Sequence, residues 1–108
     1  MYRGTTPTLT FRLPIDTGSI TALSLAVAQG GVVRIEKGLA DMTLEGKTVS
    51  CTLTEEETLS LSAGAGREAQ VQLRVGVGGQ RMASQVFEVP VDRILRDGAL
   101  VKEENYGI

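Results

Sequence analysis

Apolar and polar residues take turns along most of this chain, and the period is two. From residue 8 to 13, Leu9, Phe11 and Leu13 fall on one side while Thr8, Thr10 and Arg12 fall on the other, the pattern of a strand with one buried face. Pro14 ends that run, and Asp16-Thr17-Gly18-Ser19 supplies a turn,. A second strand is predicted over about 20–29, with Leu23, Leu25 and Val27 inward and a face of small residues, Ala22, Ser24, Ala26 and Ala28, outward. Gly30-Gly31 is a two-residue hairpin signal, because glycine adopts positive φ at both turn positions without steric cost. The returning strand, 32–37, turns Val33 and Ile35 inward, and a link through Leu39, Asp41 and Met42 follows.

The turn Glu45-Gly46-Lys47 introduces residues 48–53, where Val49, Cys51 and Leu53 alternate with Thr48, Ser50 and Thr52. Thr54 followed three residues later by Glu57 is a capping box, so a short helix is predicted over 55–61, with Leu59 and Leu61 closing one end of the core,. Residues 68–77 alternate again around Val71, Leu73 and Val75; Gly78-Gly79 turns the chain; and a last long strand over 80–91 directs Phe87, Val89 and Val91 inward. Pro90 places the end of that strand at a sheet edge. About six to seven short strands joined partly by hairpins and partly by a crossing helix predict an all-β, two-sheet antiparallel sandwich of immunoglobulin-like type.

The length of 108 residues suits one domain, read as residues 1–100 with an extended N-terminal arm (1–7) and a mobile C-terminal tail (101–108),. Apolar residues make up 42%, but two Phe, two Tyr and no Trp leave aliphatic packing to fill the core. A net charge of −2 with scattered Lys and Arg argues against a nucleic-acid partner,. No apolar run approaches the roughly 20 residues that span a bilayer, so membrane insertion is not expected. The single Cys51 excludes an internal disulfide, and the absence of His removes the usual general base and metal ligand together,.

Motifs that could carry chemistry have structural explanations. Gly46-Lys47-Thr48 ends like a phosphate-binding loop, but Asp41 stands where its first glycine belongs and a strand follows instead of a helix,. Gly76, Gly78 and Gly79 belong to a hairpin rather than a dinucleotide fingerprint. Cys51 reads as an inert core thiol and Glu55-Glu56-Glu57 as helix-capping carboxylates. Carboxylate-only hydrolysis would require Asp16, Asp41, Asp92 and Asp97 to converge. No catalytic, metal or cofactor residues are therefore assigned. The small-residue face is unusual for a solvated strand and fits either a packed neighbour or a plain exposed surface. Ala22, Ser24, Ala26 and Ala28, with Tyr2 and Arg3 of the arm, form the candidate interface, since an arm can add a strand to a neighbour's sheet.

Several segments together carry a resemblance: Arg3-Gly4-Thr5-Thr6-Pro7-Thr8-Leu9-Thr10-Phe11 with Leu13-Pro14, Leu44-Glu45-Gly46-Lys47-Thr48, Leu53-Thr54-Glu55-Glu56-Glu57-Thr58-Leu59, and Ile94-Leu95-Arg96-Asp97-Gly98. They look like a family of short structural proteins from prophages of Firmicutes, which resemble the immunoglobulin-like N-terminal domain of phage baseplate upper proteins. The resemblance implies a non-enzymatic virion or tail-associated protein, made in the bacterial host cytoplasm and then carried in the virion. Its partners would be other tail or baseplate proteins, or further copies of itself. The alternative is a stand-alone immunoglobulin-like module that captures a host protein or glycan through its loops.

Overall fold

The computed structural model describes residues 1–101. It is mainly β, with two antiparallel sheets and one short helix. The strands are β1 (Thr8–Arg12), β2 (Ala22–Gln29), β3 (Val32–Gly38), β4 (Met42–Glu45), β5 (Thr48–Thr52), β6 (Ala69–Val77), β7 (Gln80–Ala83) and β8 (Phe87–Val89). The helix α1 spans Glu55–Leu59. The smaller sheet has the order β1-β5-β4; the larger runs β3-β2-β6-β7, with β8 also paired to β6. The predicted tail, apart from Val101, lies outside the described residues.

Among the described residues eight strands appear where six or seven were expected, for two reasons. The link after Leu39 contains β4, whose Met42 and Leu44 pair with Cys51 and Val49. The expected strand over 80–91 is split, because Arg74 pairs with Ala83 and Val71 with Phe87. Four steps on one side thus face three on the other, which is a one-residue bulge at Ser84–Val86. Ser84 repairs the ladder there: its N–H donates to the Leu73 carbonyl (2.8 Å) and its Oγ accepts from the Leu73 N–H (3.0 Å).

Leu23, Leu25 and Val27 of β2 pair with Val75, Leu73 and Val71 of β6, and all six point inward and are buried. They meet Val49 and Cys51 of the smaller sheet and Leu53 just beyond its end, closed by Leu61 and Val91. Two inward assignments fail. Val33 is 50% exposed because the β2–β3 register shifts between Val27 and Ala28, so that Ile35 pairs with Val27 but Val33 with Ala28. Phe87 is 38% exposed because it stands at the sheet edge, leaning on Phe11 with ring centroids 6.1 Å apart. At the helix the capping box forms as predicted: Thr54 Oγ1 accepts from Glu57 N–H (3.1 Å), and Glu57 Oε1 accepts from Thr54 N–H (2.8 Å). Leu61 is buried, Leu59 only half so, and Thr58 is the fully buried residue of the helix.

The arm is bound within its own chain. Tyr2 forms a parallel bridge with Asp92, Arg3 N–H donates to the Asp92 carbonyl (2.9 Å), and the Asp92 N–H donates to the Met1 carbonyl (2.7 Å). Thr58 Oγ1 fastens the other end, accepting from the Thr5 N–H (3.1 Å) and donating to the Thr5 carbonyl (2.8 Å). No helix among the described residues is long and apolar enough to cross a membrane.

Candidate interaction surfaces

The small-residue face exists as a face. Ala22, Ser24, Ala26 and Ala28 lie in consecutive rows on the outside of the larger sheet, opposite Gly76, Arg74, Gln72 and Gln70 of β6. On the β3 side, Gly38 and Glu36 stand beside Ser24 and Ala26. Ala22 is exposed and the other three are half-buried by these longer neighbours. The small side chains therefore form the floor of a shallow strip walled by Gln, Arg and Glu.

Tyr2 and Arg3 sit apart from that strip, on the arm. Tyr2 is 58% exposed. The Arg3 guanidinium is used internally: Nε donates to the Leu61 carbonyl (2.5 Å), one terminal nitrogen to the Leu59 carbonyl (2.8 Å), and the other pairs with Asp97. A cation that donates to the carbonyls at and just beyond the end of a short helix satisfies acceptors that the helix itself cannot. Arg3 thereby joins arm, helix end and C-terminal segment.

A second surface lies along one long side of the sandwich, where the edge of β1 faces the edge formed by β7 and β8. The sheets part there over two adjoining depressions. Leu9, Phe11, Phe87 and Val89 line one of them, and Leu13, Pro14 and Met82 line the other. Both phenylalanines of the chain stand at this seam, and Met82 is 40% exposed. The opposite long side is closed: the chain itself crosses between sheets through the turn Leu39–Asp41, and Lys37 Nζ of β3 reaches Glu57 Oε1 of α1 at 2.7 Å.

That ion pair is the main electrostatic feature. Its hydrogen bond to Glu57 raises the Lys37 pKa against the opposing effect of burial. Burial pushes the Glu57 carboxyl up, but the Lys37 bond, the Thr54 N–H and the Lys37 charge outweigh it and hold the group below the usual carboxylate range. Burial also raises the Cys51 thiol, and the nearby Lys37 charge only partly offsets it, so Cys51 remains a neutral thiol within the core. The four aspartates considered for hydrolysis are held separately. Asp16 accepts from Gly18 N–H, Asp41 from Gly38 N–H, Asp92 faces the terminal amine and Asp97 faces Arg3. Among the described residues no three His, Cys, Asp or Glu side chains cluster as a metal would require.

No family model matches the chain, and no curated protein or solved structure is significantly similar to it. Sequence reasoning missed the seam because it treated Phe11 and Phe87 as core residues. It missed the Lys37–Glu57 pair because a lysine that continues the inward parity of Ile35 looks like the exposed end of a strand. The signal available was that parity itself, two residues beyond Ile35.

Proposed function

We propose that this chain is a non-enzymatic structural protein of a phage virion, associated with the tail and acting through subunit packing. The observation that carries the reading is the location of its accessible aromatic and apolar side chains. They line an unsealed seam between two sheet edges, with Phe11, Phe87 and Met82 partly open to solvent, and aromatic and Met side chains are characteristic of protein contact surfaces. The resemblance to short prophage proteins of the baseplate-upper type supports the same reading.

The finer fold assignment belongs with it. An immunoglobulin domain of constant type carries strands A, B, E and D in one sheet and C, F and G in the other. Taking β1 as B, β5 as E and β4 as D accounts for the smaller sheet; β2 as C, β6 as F and β7 with β8 as G account for the larger, with β3 as an added C′ beside C. Chain order is kept throughout. On this immunoglobulin-like reading strand A does not pair with β1, and the arm bridges Asp92 instead.

The rival reading, a module that captures a host protein or glycan, would use the hairpin loops. Gly30-Gly31, Glu45-Gly46-Lys47 and Gly78-Gly79 offer no aromatic or broad apolar side chain, so the seam favours assembly. The test is to purify particles from an induced lysogen carrying this gene and identify their proteins by mass spectrometry. Recovery of the chain at stoichiometric level in the tail fraction is expected; its presence only as free protein would overturn the reading.

A further inference from the structure

Among the described residues the two sheets present four exposed edges, and three of them carry devices that discourage pairing with another strand. The edge of β3 contains a register shift between Val33 and Ile35 and bears Arg34, Glu36 and an inward Lys37. The edge of β4 is four residues long and begins directly after the turn Leu39–Asp41. The edge formed by β7 and β8 is broken by the bulge at Ser84–Val86. Bulges, inward charges and shortness are the usual protections of an edge. β1 has none of them: its five residues pair with β5 without a shift, and Arg12 is its single charge.

The backbone parity of β1 follows from its two ends. The Pro7 carbonyl accepts from Leu53 N–H (2.9 Å), and the Leu13 N–H donates to the Lys47 carbonyl (2.7 Å). Odd-numbered residues of this strand therefore bond to β5, and the N–H and C=O groups of Thr8, Thr10 and Arg12 point away from the sheet. These are the groups another strand would engage.

We propose that β1 pairs antiparallel with β1 of a second copy of this chain across a two-fold axis at Thr10. This deepens the assembly reading by naming its surface and its partner. Parity allows only even-numbered residues to face one another as hydrogen-bonded pairs. The register that pairs all five residues sets Thr10 against the second copy's Thr10 and Thr8 against its Arg12, so no like charges meet. On the inner face the same register sets Leu9 beside Phe11 of the other copy, an apolar pair on both sides of the axis. Two such edges joined by a two-fold extend the smaller sheet to six strands and bring the two seams together, which covers Phe87. A strand that is apolar on one face, nearly uncharged and compatible with its own reverse is suited to an isologous contact.

The experiment is sedimentation velocity from about 1 μM to about 1 mM, the range in which weak self-association is read, on the full chain, Thr10→Pro, Thr10→Lys and Ala26→Arg. Thr10 N–H makes no bond to β5, so proline at this edge position leaves the intrachain ladder intact, which far-UV circular dichroism checks. The wild-type chain should dimerise. Thr10→Pro, which removes two hydrogen bonds across the axis, should weaken the dimer roughly 30-fold. Thr10→Lys should weaken it in a manner relieved by salt, since two ammonium groups then meet at the axis, and it carries the test if the proline variant does not fold. Ala26→Arg should dimerise as wild type. Equal dimerisation of the Thr10 variants and wild type overturns the inference, as does a wild-type chain that stays monomeric throughout. Loss of association in Ala26→Arg alone overturns it while leaving assembly in place, through the outer face of β2. Absence of the chain from particles is a separate result, which overturns the assembly reading itself.

Discussion

The two long sides of this sandwich are built from similar strands and end differently. On the β3/β4 side the chain crosses between sheets, Ile35 is buried and a lysine from one sheet is tied to the helix that bridges both. On the β1/β7/β8 side no connection among the described residues crosses along the edge, and Leu9, Phe11 and Phe87 share a gap that stays partly open to solvent. The difference teaches that alternation alone does not seal a sandwich. A side is closed by whatever covers its edge, and here one side has a covalent crossing with an ion pair, while between the strand edges of the other only side chains meet among the described residues, the arm's backbone bonds lying beyond the end of β8.

The sharpest way to break this comparison is to truncate one residue on each side. Ile35→Ala should cost about 2–4 kcal/mol, because a buried side chain loses both its transfer free energy and its packing partners. Phe87→Ala should cost about 1–2 kcal/mol despite removing a larger side chain, since part of the ring is already hydrated. Urea unfolding measures both, and equal costs would show that the seam is as closed as its opposite. Next in size is Thr58→Val at the helix, which keeps the shape but strands the Thr5 N–H and C=O. A loss of about 1–2 kcal/mol is expected, together with faster hydrogen exchange of the arm.

The smallest effect concerns pH and tests the closed side alone. Glu57 has a lowered pKa when folded, so its contribution is present above the unfolded carboxylate pKa and is lost as pH falls through the folded value,. Lys37 has a raised pKa, so its contribution is present below the unfolded lysine pKa and is lost as pH rises through the folded value,. Stability should therefore be flat between those limits and fall at both ends. Glu57→Gln should flatten both limbs at a cost of about 1 kcal/mol or less near neutrality, because the pair is partly screened by solvent. Thermal midpoints across the pH range read this, and unchanged limbs in the variant would remove the ion pair from the account of that side.

Much of the fold was legible because β1, β2, β5 and β6 alternate cleanly, and because Thr54 and Glu57 form a capping box that depends only on local spacing. The bulge at Ser84–Val86 was not legible. Its position depends on which residues of β6 stand opposite, and that is a long-range pairing. The same holds for Val33, whose outward turn follows from a register shift shared with β2. Of the candidate surface, the small-residue face could be read directly from residues 22–28, whereas the use of Arg3 at the helix end required the arm to be brought beside Leu59 and Leu61.

By itself the sequence determined the local alternations, the hairpin glycines, the helix start and a core filled by aliphatic side chains around one buried thiol. Those features depend on neighbours within a few residues, where steric preference and hydrogen bonding act without the rest of the chain. The tertiary structure alone decided which edges are covered, which aromatic rings stay wet and which lysine meets which glutamate. Those outcomes depend on contacts between residues far apart in the chain, and a period of two says which face a residue takes but not what stands across from it.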